Sequence, residues 1–133
     1  MTPPVYAIGI GCRKGVTAQD VVALVTRARA AAGHTAVQRA CLFTLDVKSG
    51  EPGLREAARM LGAALEGFPR RALAQAMPGV SRTSARVESI HGVGSIAEAA
   101  ALAGAGAGAR LVVPRMSADG VTCAIALAAE GPA

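Results

Sequence analysis

Two short stretches hold residue types that could do chemistry. In Gly9-Ile10-Gly11-Cys12-Arg13-Lys14-Gly15, a glycine-punctuated turn carries a thiol and two cations. An apolar run from Val5 to Ile10 precedes it, and Thr17 follows as a helix-opening residue. A strand, a glycine-rich turn and a helix N-terminus make an anion site: the backbone can approach closely, N–H groups point outward, and the helix dipole favours negative charge. A tight structural turn is the alternative reading. The electropositive turn is expected to lower the pKa of Cys12 and offer a nucleophile. With no histidine beside it in sequence, the preferred reading of Cys12 is non-catalytic. The second stretch, Asp46-Val47-Lys48-Ser49-Gly50-Glu51, pairs carboxylates with an amine. Such neighbours shift one another's pKa and can act as acid and base. Asp46 and Lys48 are the candidate catalytic pair. Glu51 also reads as a helix-start carboxylate favoured by the dipole.

Neither stretch matches a nucleotide fingerprint. Gly15 falls too late after Gly11 for the dinucleotide motif, and no Gly-Lys-Ser/Thr follows for a phosphate-binding loop. Cys12, Cys41 and Cys123 lie far apart and show no metal-ligand spacing, so no metal and no cofactor is expected. An odd cysteine count without a signal peptide points to a reducing cytoplasm. The apolar stretches are broken by Gly, Arg or Glu, so no membrane span is expected. The formal net charge is +5, and the 14 cations are arginines save Lys14 and Lys48. They are scattered, as on a solvated surface or around a polyanion pocket. There is no basic tail, and Tyr6, Phe43 and Phe68 are the only aromatics, so nucleic acid is not an expected partner.

At 133 residues, one domain spanning 1–133 is expected, with a core of Val, Leu, Ile and Ala. Hydrophobic periodicity and breakers predict strands over 5–11, 40–45, 64–68, 111–113 and 121–127, the last possibly at a sheet edge. Helices are predicted over 17–32, from Glu51-Pro52 to Gly62, over 70–76 and over 96–103. The first has Thr17 and Asp20 in capping-box spacing, and the fourth Ser95 and Glu98. Asp20 and Glu98 read as capping residues, and Cys41 and Cys123 as small core residues. Gly104 to Ala109 reads as a helix end and turn without further role. Met77 to Ser84 reads as a loop; the tract Ser81 to Arg86 reads as a solvated loop rather than a lid.

Alternating strands and helices give an α/β class with a mainly parallel sheet and helices on both faces. Ligands of such sheets bind beyond the carboxyl ends of the strands. That topology is expected to gather Gly11 to Gly15, Asp46 to Glu51, His91 to Ser95, and Pro114-Arg115 after the penultimate strand. The candidate ligand-binding set is therefore Gly9, Gly11, Cys12, Arg13, Lys14, Gly15, Glu51, Ser95 and Arg115.

The same motifs carry a family resemblance. Gly9 to Gly15, then Thr44-Leu45-Asp46-Val47-Lys48 with Glu51-Pro52-Gly53-Leu54, resemble the cobalamin-biosynthesis CobE family and the C-terminal domain of CbiG. Gly92-Val93-Gly94-Ser95-Ile96-Ala97-Glu98-Ala99-Ala100-Ala101-Leu102 and Val113-Pro114-Arg115 with Thr122 to Ala126 agree in the same order. The resemblance implies a part in building the corrin ring of vitamin B12. CbiG proteins open a lactone on a cobalt-precorrin and release acetaldehyde, and carry an additional N-terminal region. The free-standing CobE type of the aerobic pathway is expected here, for which the resemblance gives a pathway and a fold but no settled reaction. The expected partners are a corrin or precorrin and other cobalamin-pathway enzymes. Corrin precursors bear acetate and propionate arms that Arg13, Lys14, Lys48 and Arg115 could grip. Two readings stay open: a carrier or accessory factor, and a small hydrolase or lyase using Asp46 and Lys48.

Overall fold

The structure is a computed structural model and describes residues 6–33, 41–76 and 96–128. Five strands, β1 (Tyr6–Cys12), β2 (Cys41–Leu45), β3 (Ala64–Phe68), β4 (Arg110–Ala118) and β5 (Val121–Leu127), form one sheet in the order β3-β2-β1-β5-β4. Among the described residues four helices accompany it: α1 (Ala18–Ala31), α2 (Pro52–Leu61), α3 (Arg70–Gln75) and α4 (Ile96–Ala105). A 3-10 turn over Asp46–Lys48 follows β2.

The expected helix signals operate. Thr17 caps α1, its Oγ1 accepting from the Asp20 N–H at 3.1 Å. Pro52 occupies the first turn of α2, and Gly62 closes that helix in the left-handed region, φ 65°. Strand alternation then divides the core into two layers. Ile8 and Ile10 of β1 and Cys123 and Ile125 of β5 face α1 and α2, packing with Val21, Leu24, Val25, Leu54 and Ala57. Ala7, Ala124 and Ala126 face the other way, toward α4. Helices therefore cover both faces, as expected.

Alanine and glycine dominate the α4 layer for a steric reason. A Cβ added at Gly9 would collide with the Ala97 carbonyl oxygen and backbone of α4, so the helix rests directly on the strand. Gly104 lies against the Phe43 ring in the same way. The helix end and turn expected of 104–109 are found, with α4 ending at Ala105, and Gly104 has in addition a packing role against Phe43.

The sheet is parallel through β3-β2-β1 and antiparallel where β5 meets β1 and β4. Between β4 and β5 the cause is the Asp119-Gly120 turn, whose residues both have positive φ, 54° and 81°. A two-residue connection of this kind joins only antiparallel neighbours. Strand β4 consequently runs to Ala118 rather than stopping at 113. Strand β5 is not an edge: it lies between β1 and β4. The edges are β3 and β4, and β4 carries register irregularities between Leu111 and Met116 around Pro114.

Candidate functional site

The end of the sheet where β1 and β2 finish gathers most of the chemistry-bearing side chains. The turn after Cys12 is fixed by three contacts. The Arg13 N–H donates to the Gly120 carbonyl at 2.9 Å, the Val16 N–H to the Arg13 carbonyl at 3.4 Å, and the Gly15 N–H to Glu51 Oε1 at 2.7 Å. Gly15 has φ 86°, a conformation glycine adopts without penalty. From the other side, the Glu51 N–H donates to the Lys48 carbonyl at 3.0 Å, and the Asp46 carbonyl accepts from both the N–H and the hydroxyl of Ser49. Gly53 allows the start of α2 to press against the Val16 carbonyl. The two loops are thereby locked together across the crest of β1 and β2.

This changes the expected anion site. The N–H of Gly15 already holds an anion, the protein's own Glu51 carboxylate. The N–H groups of Arg13 and Val16 are taken by carbonyls. What the turn offers outward is side-chain charge: Arg13 and Lys14 are exposed, and Lys48, on the neighbouring loop, is partly buried and close enough to Cys12 for its charge to be felt there. None of the three is ion-paired with another described residue.

Cys12 lies half-buried at the same place. Burial pushes its thiol above the ordinary 9.0; the Lys48 charge works against this and the Glu51 charge reinforces it. The expectation of a lowered pKa fails because desolvation outweighs the nearby cation. Cys123 is the core residue expected, its thiol pushed up to about 12 by burial, whereas Cys41 is only partly buried, with its Sγ 4.0 Å from Glu66 Oε2.

Two members of the expected set stand elsewhere. Gly9 is buried at mid-strand under α4 and reaches no surface. Arg115 does not follow a strand. It sits within β4 on the sheet edge, exposed, and its N–H donates to Glu98 Oε2 at 3.1 Å. Ser95 and His91 lie outside the described residues, as does the tract Ser81 to Arg86. Glu98 is more than a capping residue. It is 3% exposed, and its carboxylate ties α4 to β4.

Beside the crest, on the α4 face, lies an open cleft of about 460 Å³ lined by Gly11, Cys12, Arg13, Ile96 and Ser117 to Thr122. The Thr122 hydroxyl donates to the Gly11 carbonyl at 3.3 Å. The hairpin residues Ser117, Asp119 and Thr122 were not expected at the site. The dipeptide Asp119-Gly120 between alternating segments was the signal that could have placed them. Among the described residues no group of three or more His, Cys, Asp and Glu could hold a metal ion, and no helix is long and apolar enough to cross a membrane.

Comparison with known proteins agrees with this architecture. The family model described as cobalamin synthesis G C-terminus matches residues 6–126. The chain is 31% identical over 126 residues to Protein CobE of Sinorhizobium sp, covering 95% of this chain and 79% of that protein. It is similar to the crystal structure of CobE, a protein from the cobalamin (vitamin B12) biosynthetic pathway, with TM-score 0.84, 32% identity and 95% of each chain covered. A cobalamin biosynthesis protein chiG from Agrobacterium tumefaciens str. C58 aligns with TM-score 0.71 and 38% identity, over 95% of this chain and all of that one. A putative cobalamin biosynthesis protein G homolog from Sulfolobus solfataricus shares the fold, with TM-score 0.67 at 15% identity, over 95% of this chain and 37% of that one.

Proposed function

The chain belongs to the cobalamin synthesis G C-terminus family, and from that premise we propose that this cobalamin biosynthesis protein binds a polycarboxylated corrin-ring intermediate at the crest of its sheet and holds it as a carrier or accessory factor for the enzymes of the pathway. The observation that carries the reading is that Arg13, Lys14 and Lys48, none of them ion-paired with a described residue, stand on two loops clamped by the Gly15–Glu51 hydrogen bond. Guanidinium and ammonium groups match the acetate and propionate arms of a corrin. Clamped loops hold those cations in place before the ligand arrives, which lowers the ordering cost of binding. Gly15 and Glu51 act in this reading by positioning the cations rather than by touching the ligand.

A carrier is favoured over a covalent catalyst by the state of Cys12. The one thiol at the crest is held protonated at neutral pH by burial. Asp46 and Lys48 remain the acid and base that a hydrolase or lyase would use. Incubation of the purified protein with corrin intermediates, followed by gel filtration and absorption spectroscopy, separates the two. Co-elution with a shifted spectrum and no new product is expected of a carrier. Conversion to a product that Asp46→Asn abolishes would establish the enzyme instead. Absence of both co-elution and conversion would overturn the proposal.

A further inference from the structure

Strand β4 carries an extra residue beside the buried carboxylate of Glu98. Val113 lies opposite Ile125 and Met116 opposite Cys123, which leaves two residues, Pro114 and Arg115, against one, Ala124. This is a β-bulge, a device that re-aims a side chain. Here it decides which way Arg115 faces. Val113 and Met116 both pack into the core layer under α1 and α2. In a strand alternating regularly from Val113, Arg115 would fall on that same side; the extra residue turns it to the other face. That is the face of Ser117, which lines the cleft beside α4. Ser117 is two residues further on, about 7 Å along the strand. Arg115 is exposed, and its side chain is not ion-paired with a described residue.

A bulge at a sheet edge needs support from outside the ladder. Pro114 has no N–H to give, and the Arg115 N–H is held by Glu98 Oε2 at 3.1 Å. Glu98 stands in the first turn of α4, 3% exposed. A carboxylate is costly to bury and is kept where it holds donors. A donor held here belongs to the bulge itself, so the helix pins the backbone from which the Arg115 side chain projects. We infer that Arg115 is a further carboxylate-binding point of the ligand, at the edge of the cleft, and that Glu98 is its positioning residue, acting through the bulge. This rests on the reading that the ligand is a polycarboxylated corrin. The arms of a corrin are spread around the ring, so a cation on β4 can take an arm that the crest cations do not hold.

Titration of the whole protein with dicyanocobyrinic acid, a corrin whose arms are carboxylates, followed by absorption at low salt, tests both parts. Arg115→Ala should weaken binding about threefold, the scale of one exposed charge contact. Arg110→Ala removes an equal charge from the exposed start of the same strand and should leave the affinity near the wild-type value. Glu98→Ala and Glu98→Met both remove the acceptor; methionine keeps the length of the buried chain, so a folding failure of one leaves the other to decide. Either should weaken binding as much as Arg115→Ala does. Glu98→Gln retains an acceptor oxygen for the Arg115 N–H and should bind as the wild type does. Arg115→Ala combined with either acceptor-less variant should bind no more weakly than Arg115→Ala alone, because both changes remove the same contact. Full affinity in Arg115→Ala, or an equal loss in Arg110→Ala, overturns the contact while leaving corrin binding at the crest intact. Full affinity in the acceptor-less Glu98 variants, an equal loss in Glu98→Gln, or a further loss in the double variant overturns the positioning role. Failure of the wild type to bind the corrin overturns the proposed function and this inference together.

Discussion

At the scale of single residues, the crest shows how burial and charge compete. Cys12 has a cation near it and still has a raised thiol pKa, since desolvation is the largest influence on it and Glu51 adds to it. In a Cys41→Ser background, alkylation of Cys12 should therefore follow a pH profile with its midpoint above 9.0. Lys48→Met, which removes the one influence lowering it, should move that midpoint higher still. A midpoint below 9.0 would mean that the turn's positive charge prevails after all. Glu51 illustrates what residue types alone leave undecided. Its place before Pro52 was legible as a helix start, but its partner, the N–H of Gly15, is 36 positions away in sequence. No local pattern announces such a bond, and it leaves the Gly15 N–H, expected to face an anion, already occupied.

At the scale of elements, the helices and the parallel half of the sheet were legible because their signals are local. Thr17 with Asp20, Pro52 and Gly62 each mark a boundary by their own backbone or side-chain chemistry. The C-terminal hairpin was misjudged. Pro114 suggested the end of a strand, whereas β4 tolerates it at a sheet edge with irregular register, where a missing N–H costs little. Arg115 was misplaced with it. The glycines of β1 were read for a ligand, and only one of them borders the cleft. Gly9 instead sets the distance between β1 and α4. Gly9→Ala should cost about 3 kcal/mol in denaturant unfolding, at the upper end for overpacking, because the obstacle is helix backbone that cannot rotate away. A loss under about 0.5 kcal/mol would show that α4 has room to shift.

At the scale of the whole molecule, two properties follow from composition and burial together. The first is a stability profile that falls in alkali. Burial pushes the Cys123 thiol from the ordinary 9.0 up to about 12 in the folded protein, so the folded state holds the proton longer. Its contribution is fully present below pH 9 and is lost as pH rises from 9 toward 12, at up to about 1.4 kcal/mol per pH unit. Unfolding free energies measured across that window should fall less steeply for Cys123→Ala than for the wild type. Parallel curves would show that this thiol is not desolvated in the folded protein. The second property is the surplus of positive charge, +5 over the chain, part of which lies at one end of the sheet as side chains able to meet a polyanion. Salt should weaken that encounter, because exposed charges are screened beyond about 10 Å at 0.1 M.

The most direct measurement is the affinity of a carboxylate-bearing corrin for the wild type and for a variant carrying Arg13→Ala and Lys14→Ala, each at low and high salt, with thermal melting recorded alongside. Exposed turn charges add little to stability, so the variant should melt within a few degrees of the wild type. It should bind the corrin about tenfold more weakly at low salt, if each lost charge contact is worth up to about 1 kcal/mol, and show a shallower dependence on salt. A variant that folds normally and binds the corrin as tightly as the wild type, with the same salt dependence, would contradict a corrin site at the crest.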